Sequence, residues 1–132
     1  MSYTMNEQVD GEFDAVVAAA VEALEDEGFG VLCDIDVQQT FAAKLDEDFR
    51  QYRILGACNP RLAREALGAE AEVGALLPCN VVVYETDEGA VAVRAVDPER
   101  LLEVAENPAF DDVAADVRAR FERVLATVAE TA

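Results

Sequence analysis

Three cysteines, Cys33, Cys58 and Cys79, are the residues best suited to covalent chemistry in this chain, which contains no histidine. Without histidine there is no Ser-His or Cys-His nucleophile pair and no imidazole metal ligand. Two of the cysteines stand in mirrored contexts, Cys58-Asn59-Pro60 and Pro78-Cys79-Asn80. Three readings fit that echo. The thiols form a redox pair, although 20 intervening residues fix no geometry. They supply two soft metal ligands, but a four-coordinate zinc site needs two more and only Cys33 remains, so no metal site is expected. Or Asn59 and Asn80 cap turns and the thiols pack.

Charge singles out Cys58. The chain carries 28 Asp and Glu against 10 Lys and Arg, yet residues 49–64 contain no acid and four arginines, Arg50, Arg53, Arg61 and Arg64. Cys58 lies in this island, directly before Asn59-Pro60, a strong helix-start pair. The partial positive charge of a helix N-terminus stabilises an anion there and lowers the pKa of a neighbouring thiol. The candidate ligand-binding set is therefore Cys58, Asn59, Cys79 and Asn80, with Arg53, Arg61 and Arg64 neutralising an anion and Cys58 as candidate nucleophile. On the opposing reading the arginines pair with nearby carboxylates and Cys58 is a small packed residue. Asp34 and Asp36 share one face of a strand, but among so many acids they read as a solvated face. No Walker A loop or dinucleotide fingerprint occurs, and Gly28-Phe29-Gly30 lacks the third glycine. Whether the chain uses a cofactor stays open.

A net charge of −18 argues against nucleic acid or an anionic membrane as partner. The composition also points to high salt. Lys44 is the single lysine beside nine arginines, and Ala plus Val account for 42 residues. Self-repulsion on such a surface is screened at about 1 M salt, where the Debye length is roughly 3 Å. Met1 to Asp10 is polar and acidic, so no secretory signal is expected, and no apolar run approaches the ~20 residues of a membrane span. An odd, small number of cysteines fits a reducing cytoplasm.

These residues must be positioned by an alternating set of strands and helices. Residues 3–9 read as a polar strand. Val16, Val17, Ala20, Val21 and Leu24 recur at helical spacing after Phe13, and Gly28 ends that helix. Phe29, Val31, Cys33, Ile35 and Val37 alternate as the buried face of a strand, which places Cys33 in the core. A short helix over 38–47 carries Phe41 and Leu45. A strand over 52–58 leads into a helix closed by Gly68. A punctuated apolar link spans 73–79. Residues 81–85 and 90–96 pair as a hairpin about Thr86-Asp87-Glu88-Gly89. Asp97-Pro98 starts a short helix, Asn107-Pro108 interrupts it, and residues 111–130 form a long helix with Val113, Val117, Phe121, Val124 and Val128 inside. The expected architecture is α+β: a mainly antiparallel sheet of about five strands with two long helices packed on one face. It forms a single domain over 1–132, with its core from about residue 10 to 130.

The run from Tyr52 through Pro60, then Ala63, then Leu76 through Tyr84, resembles the uncharacterised family called domain of unknown function 302. Gly28-Phe29-Gly30-Val31 and Asp34-Ile35-Asp36 fall at that family's Gly-Phe strand entry. The resemblance implies a compact fold like one repeat of the TATA-binding protein, usually paired as a homodimer, and no established activity. Three functions follow as expectations. The first is a cytoplasmic homodimeric module that binds a small anionic or sulfur-containing ligand at the candidate set. The second is a thiol-active sulfur carrier or redox protein using Cys58. The third is a protein-interaction module with no small-molecule site. Whether the protein is an enzyme stays open at this point.

Overall fold

The computed structural model describes residues 2–131. Strand β1 (Thr4–Val9) is followed by helix α1 (Phe13–Asp26), β2 (Gly30–Asp36), α2 (Val37–Leu45), β3 (Tyr52–Cys58) and α3 (Pro60–Ala69). A 3-10 turn (Ala71–Leu76) leads to β4 (Cys79–Glu85), β5 (Val91–Val96) and α4 (Pro98–Glu103). A second 3-10 turn (Pro108–Phe110) precedes the last helix, α5 (Asp111–Thr131). The five strands form one sheet in the order β1-β5-β4-β3-β2, and every pairing is antiparallel.

The long helices form where the apolar spacing dictates. In α1, Phe13, Val16, Val17, Ala20, Ala23 and Leu24 are buried. The Glu12 carboxylate caps that helix by accepting from the Asp14 and Ala15 amides. Gly28 ends it with φ +87°, a conformation that glycine alone adopts without strain. In α5 the expected stripe Val113, Val117, Phe121, Val124 and Val128 is buried. Both helices lie on one face of the sheet. They enclose Leu55, Ala57, Val81, Val83, Val91, Val93 and Ala95, with the Phe29 and Phe121 rings 5.1 Å apart between them. A smaller cluster of Ala66, Val73, Leu102, Phe110 and Ala114 packs α3 and the 3-10 turns against α4 and α5. This is the α+β sandwich expected from the sequence, and it is compatible with a TATA-binding-protein-like fold.

One expectation fails. Cys33 and Ile35 are exposed, not on a buried face. Alternation assigns faces only while the pairing stays regular, and here Val31 packs toward the core while Cys33 does not. β2 is the outermost strand, and its register against β3 shifts between Val31 and Cys33. In register, Cys33 lies opposite Gly56 and Ile35 opposite Ile54. Gly56 and Ile54 alternate with the core-facing Leu55 and Ala57. Cys33 and Ile35 therefore lie on the sheet face away from α1 and α5.

Candidate functional site

Cys58 ends β3 and is half-buried, while Asn59 caps α3 by accepting a hydrogen bond from the Leu62 amide at 3.2 Å. The Asn59 side chain also packs a corner. A Cβ built on Gly28 meets the Asn59 Nδ2 at 3.0 Å and the Arg120 guanidinium at 3.5 Å. Arg120 itself donates to the Glu27 carbonyl at 2.7 Å and to Asp116 at 2.6 Å. Asn59 thus sits where the end of α1, the start of α3 and Arg120 of α5 meet. Its Oδ1 is committed to the helix cap.

Cys79 belongs to the core, at 7 % exposure. Burial, and next the neighbouring Cys58, push its thiol up from the ordinary 9.0 to about 11. At neutral pH it is a protonated packing group. All three cysteines are free thiols. Cys33 and Pro78 both crowd Gly56 of β3. A Cβ on Gly56 would stand 2.5 Å from the Cys33 Sγ and 2.9 Å from the Pro78 Cγ.

The arginine island disperses. Arg53 begins at the other end of β3, five residues or about 17 Å from Cys58. It lies opposite Asp36 on β2 and grips Asp34 through Nε at 2.7 Å and a terminal nitrogen at 2.5 Å, an arrangement that holds its pKa up. Arg50 reaches Asp87 at 2.8 Å and the Glu85 carbonyl at 3.0 Å. Arg61 and Arg64 are exposed on α3, and neither makes an ion pair among the described residues. Asp36 caps α2 through the Gln39 amide. Of the seven candidate residues, then, Cys58, Asn59 and Cys79 gather at one end of the sheet, with Arg61 and Arg64 on the helix that Asn59 caps. Arg53 stands apart, and Asn80 is exposed on the open face.

Asn80 leads to a cleft that the charge island does not reveal. With Tyr3, Thr4, Tyr52, Val82, Tyr84, Arg94 and Val96 it lines a hollow of about 360 Å³ on the face away from the helices. The Tyr52 and Tyr84 rings stack at 5.1 Å and 8°. The Arg94 guanidinium lies 5.9 Å from the Tyr84 ring centre, and its Nε–H donates to the Tyr84 hydroxyl at 3.3 Å. Phe49 extends the aromatic row from Tyr52, at 6.2 Å, to Phe41, at 5.0 Å. One sequence signal could have found the cleft. Arg94 is the sole cation between Arg64 and Arg100, and it interrupts an otherwise apolar strand.

Comparison with known proteins supplies the remaining context. The family model described as "Domain of unknown function DUF302" matches residues 5–128. The crystal structure of an uncharacterized conserved protein DUF302 from Bacillus stearothermophilus is 28 % identical and superposes with a TM-score of 0.90, covering 97 % of this chain and 99 % of that one. No curated protein matches.

Proposed function

The chain belongs to the DUF302 family, and we propose that the protein is a homodimeric binding domain. It takes a small anionic or sulfur-containing ligand at the Cys58-Asn59-Pro60 end of the sheet. The observation that carries the dimer is the composition of the open face. An antiparallel sheet that shows one face to water normally alternates apolar-in with polar-out. Here Ile35, Ile54, Val82, Tyr52 and Tyr84 occupy outward positions. Toward β2 and α2, Leu32, Ile35, Leu45 and Phe49 are exposed at 70, 45, 57 and 40 %. Such clusters mark association surfaces. A second copy suits this one. Lys44, the only lysine, stands beside the acidic run Asp46-Glu47-Asp48, so a two-fold axis can set each copy's lysine against the other's acids.

Two further points support the ligand reading. Arg61 and Arg64 bring charge that no carboxylate among the described residues neutralises. Cys79, buried and protonated, is unsuited to act as a redox partner of Cys58, which favours binding over a Cys58–Cys79 redox pair. The free thiols support a cytoplasmic location, and the carboxylate-rich, lysine-poor surface supports a saline one. No described helix is long and apolar enough to cross a membrane.

Light scattering in 2 M KCl tests the dimer. The native chain should run at twice its mass and the Ile35→Asp/Phe49→Ser variant as a folded monomer; a native monomer at every salt refutes the assembly. Native mass spectrometry tests the ligand. A retained small anion should survive Cys58→Ser and disappear in Arg61→Gln/Arg64→Gln. Retention that instead depends on the Cys58 sulfur would transfer the case to a sulfur carrier.

A further inference from the structure

We propose that the open-face cleft around Arg94 is a second binding site, for a small carboxylate with an apolar body. The argument begins with what converges there. The chain has three tyrosines, and all three, Tyr3, Tyr52 and Tyr84, line this one hollow. Their hydroxyls are close enough to act on one another: the Tyr52 phenol is pushed up first by burial, then by Tyr84 and Tyr3. Phenol walls supply hydroxyl donors on apolar rings. Val82 and Val96 give the hollow an apolar lining, and Thr4 and Asn80 add polar groups beside them. A volume of about 360 Å³ suits a small organic molecule.

Arg94 provides the charge. In register it stands between Val82 of β4 and Asn6 of β1, so neither strand brings a carboxylate opposite it. In a chain with 28 acids, this half-buried arginine has no carboxylate partner among the described residues. Tyr84 holds it by stacking and by accepting from Nε, which leaves both terminal nitrogens without a partner among those residues. A guanidinium fixed in this way presents its fork to a carboxylate, the group whose geometry it matches. One cation calls for a monoanion, and the valines and tyrosine rings call for an apolar body on it. A polyanion such as nucleic acid finds neither the charge nor the shape.

The site uses neither Cys58 nor the α3 arginines, but Tyr52, Val82 and Tyr84 also stand on the face proposed for the dimer, so the cleft is tested in both the native chain and its monomeric variant; a single spectroscopic handle reports on it. The chain has no tryptophan, so all intrinsic emission comes from the three cleft tyrosines. Cyclohexanecarboxylate is transparent at the exciting wavelength and combines the two required features. Titrated into the protein in KCl, it should change tyrosine emission saturably, with a midpoint on the order of millimolar for a ligand of its size. Cyclohexanemethanol, which lacks the charge, and acetate, which lacks the body, should each need about tenfold more. Arg94→Met should weaken the carboxylate about tenfold or more, as expected for a lost charge-assisted hydrogen bond. If Arg94→Met loses its native circular dichroism, the decision passes to Tyr3→Phe. That change sits at an exposed position and should weaken binding a few-fold. An absent or linear response, equal binding of the alcohol, or an unchanged midpoint in a folded Arg94→Met or Tyr3→Phe protein overturns the proposal. Repeating the titration on the Ile35→Asp/Phe49→Ser monomer separates failure of the cleft from failure of the dimer.

Discussion

Replacing Gly56 with alanine tests how the exposed Cys33 thiol is seated on the sheet. The new methyl would lie 2.5 Å from the Cys33 Sγ and 2.9 Å from the Pro78 Cγ, where ordinary contact needs at least 3.4 Å. Two overlaps of that size must be relieved by movement. Cys33 is on the edge strand and exposed, so its thiol can turn away at about 0.5–1.5 kcal/mol. Pro78 is a rigid ring one residue before the core residue Cys79, and it yields only by displacing the start of β4. Overpacking of this kind costs about 1–3 kcal/mol. For a chain of this length that lowers the melting midpoint by about 4 °C per kcal/mol, hence roughly 4–12 °C. Urea unfolding at constant KCl, followed by far-UV circular dichroism, measures the cost directly. Cys33→Ala removes one of the two obstacles, so in that background Gly56→Ala should cost about 1 kcal/mol less. A single mutant within ~0.3 kcal/mol of native, or a cost unchanged by Cys33→Ala, would show that the thiol does not lie over Gly56.

Two other predictions concern titration and salt. Cys79 has its folded pKa raised from 9.0 to about 11, so its contribution to stability is complete below pH 9 and is lost as pH climbs through 11. At 1.36 kcal/mol per unit this amounts to about 2–3 kcal/mol, and a Cys79→Val protein should show a correspondingly shallower alkaline loss in urea midpoints; an identical slope would remove Cys79 as the cause. The melting temperature should rise between 0.1 and 2 M KCl as the excess of carboxylates is screened, and a flat profile would count against adaptation to salt.

The elements themselves were legible because each carries a local cause: helical spacing from Phe13 to Leu24, Asn59-Pro60 at a helix start, Gly89 in a hairpin. Their stacking was legible too, since two long amphipathic helices need one shared apolar layer. Positions across the sheet were not. Arg50, Arg53, Arg61 and Arg64 are neighbours in sequence, but two-residue periodicity sends Arg53 and Cys58 to opposite faces and opposite ends of β3. Cys33 escapes for a related reason: periodicity cannot report the register shift between Val31 and Cys33, which turns Cys33 to the open face. The tyrosine cleft was hidden because its parts come from β1, β3, β4 and β5. Their meeting depends on the pairing order, which no local pattern encodes.

The pairing order also bears on how the chain is made. β1 has one neighbour, β5, and Thr4 pairs with Val96, 92 residues later. At 5–20 residues per second of synthesis, the first strand emerges and then waits about 5–18 s before its partner exists. During that interval it must not join the free edge of a nascent β2–β3 pair. Its sequence suits that delay: Asn6, Glu7 and Gln8 form a polar, charged centre between Met5 and Val9, which makes it a poor template for premature pairing. The first of the five strands is thus built to wait for its partner.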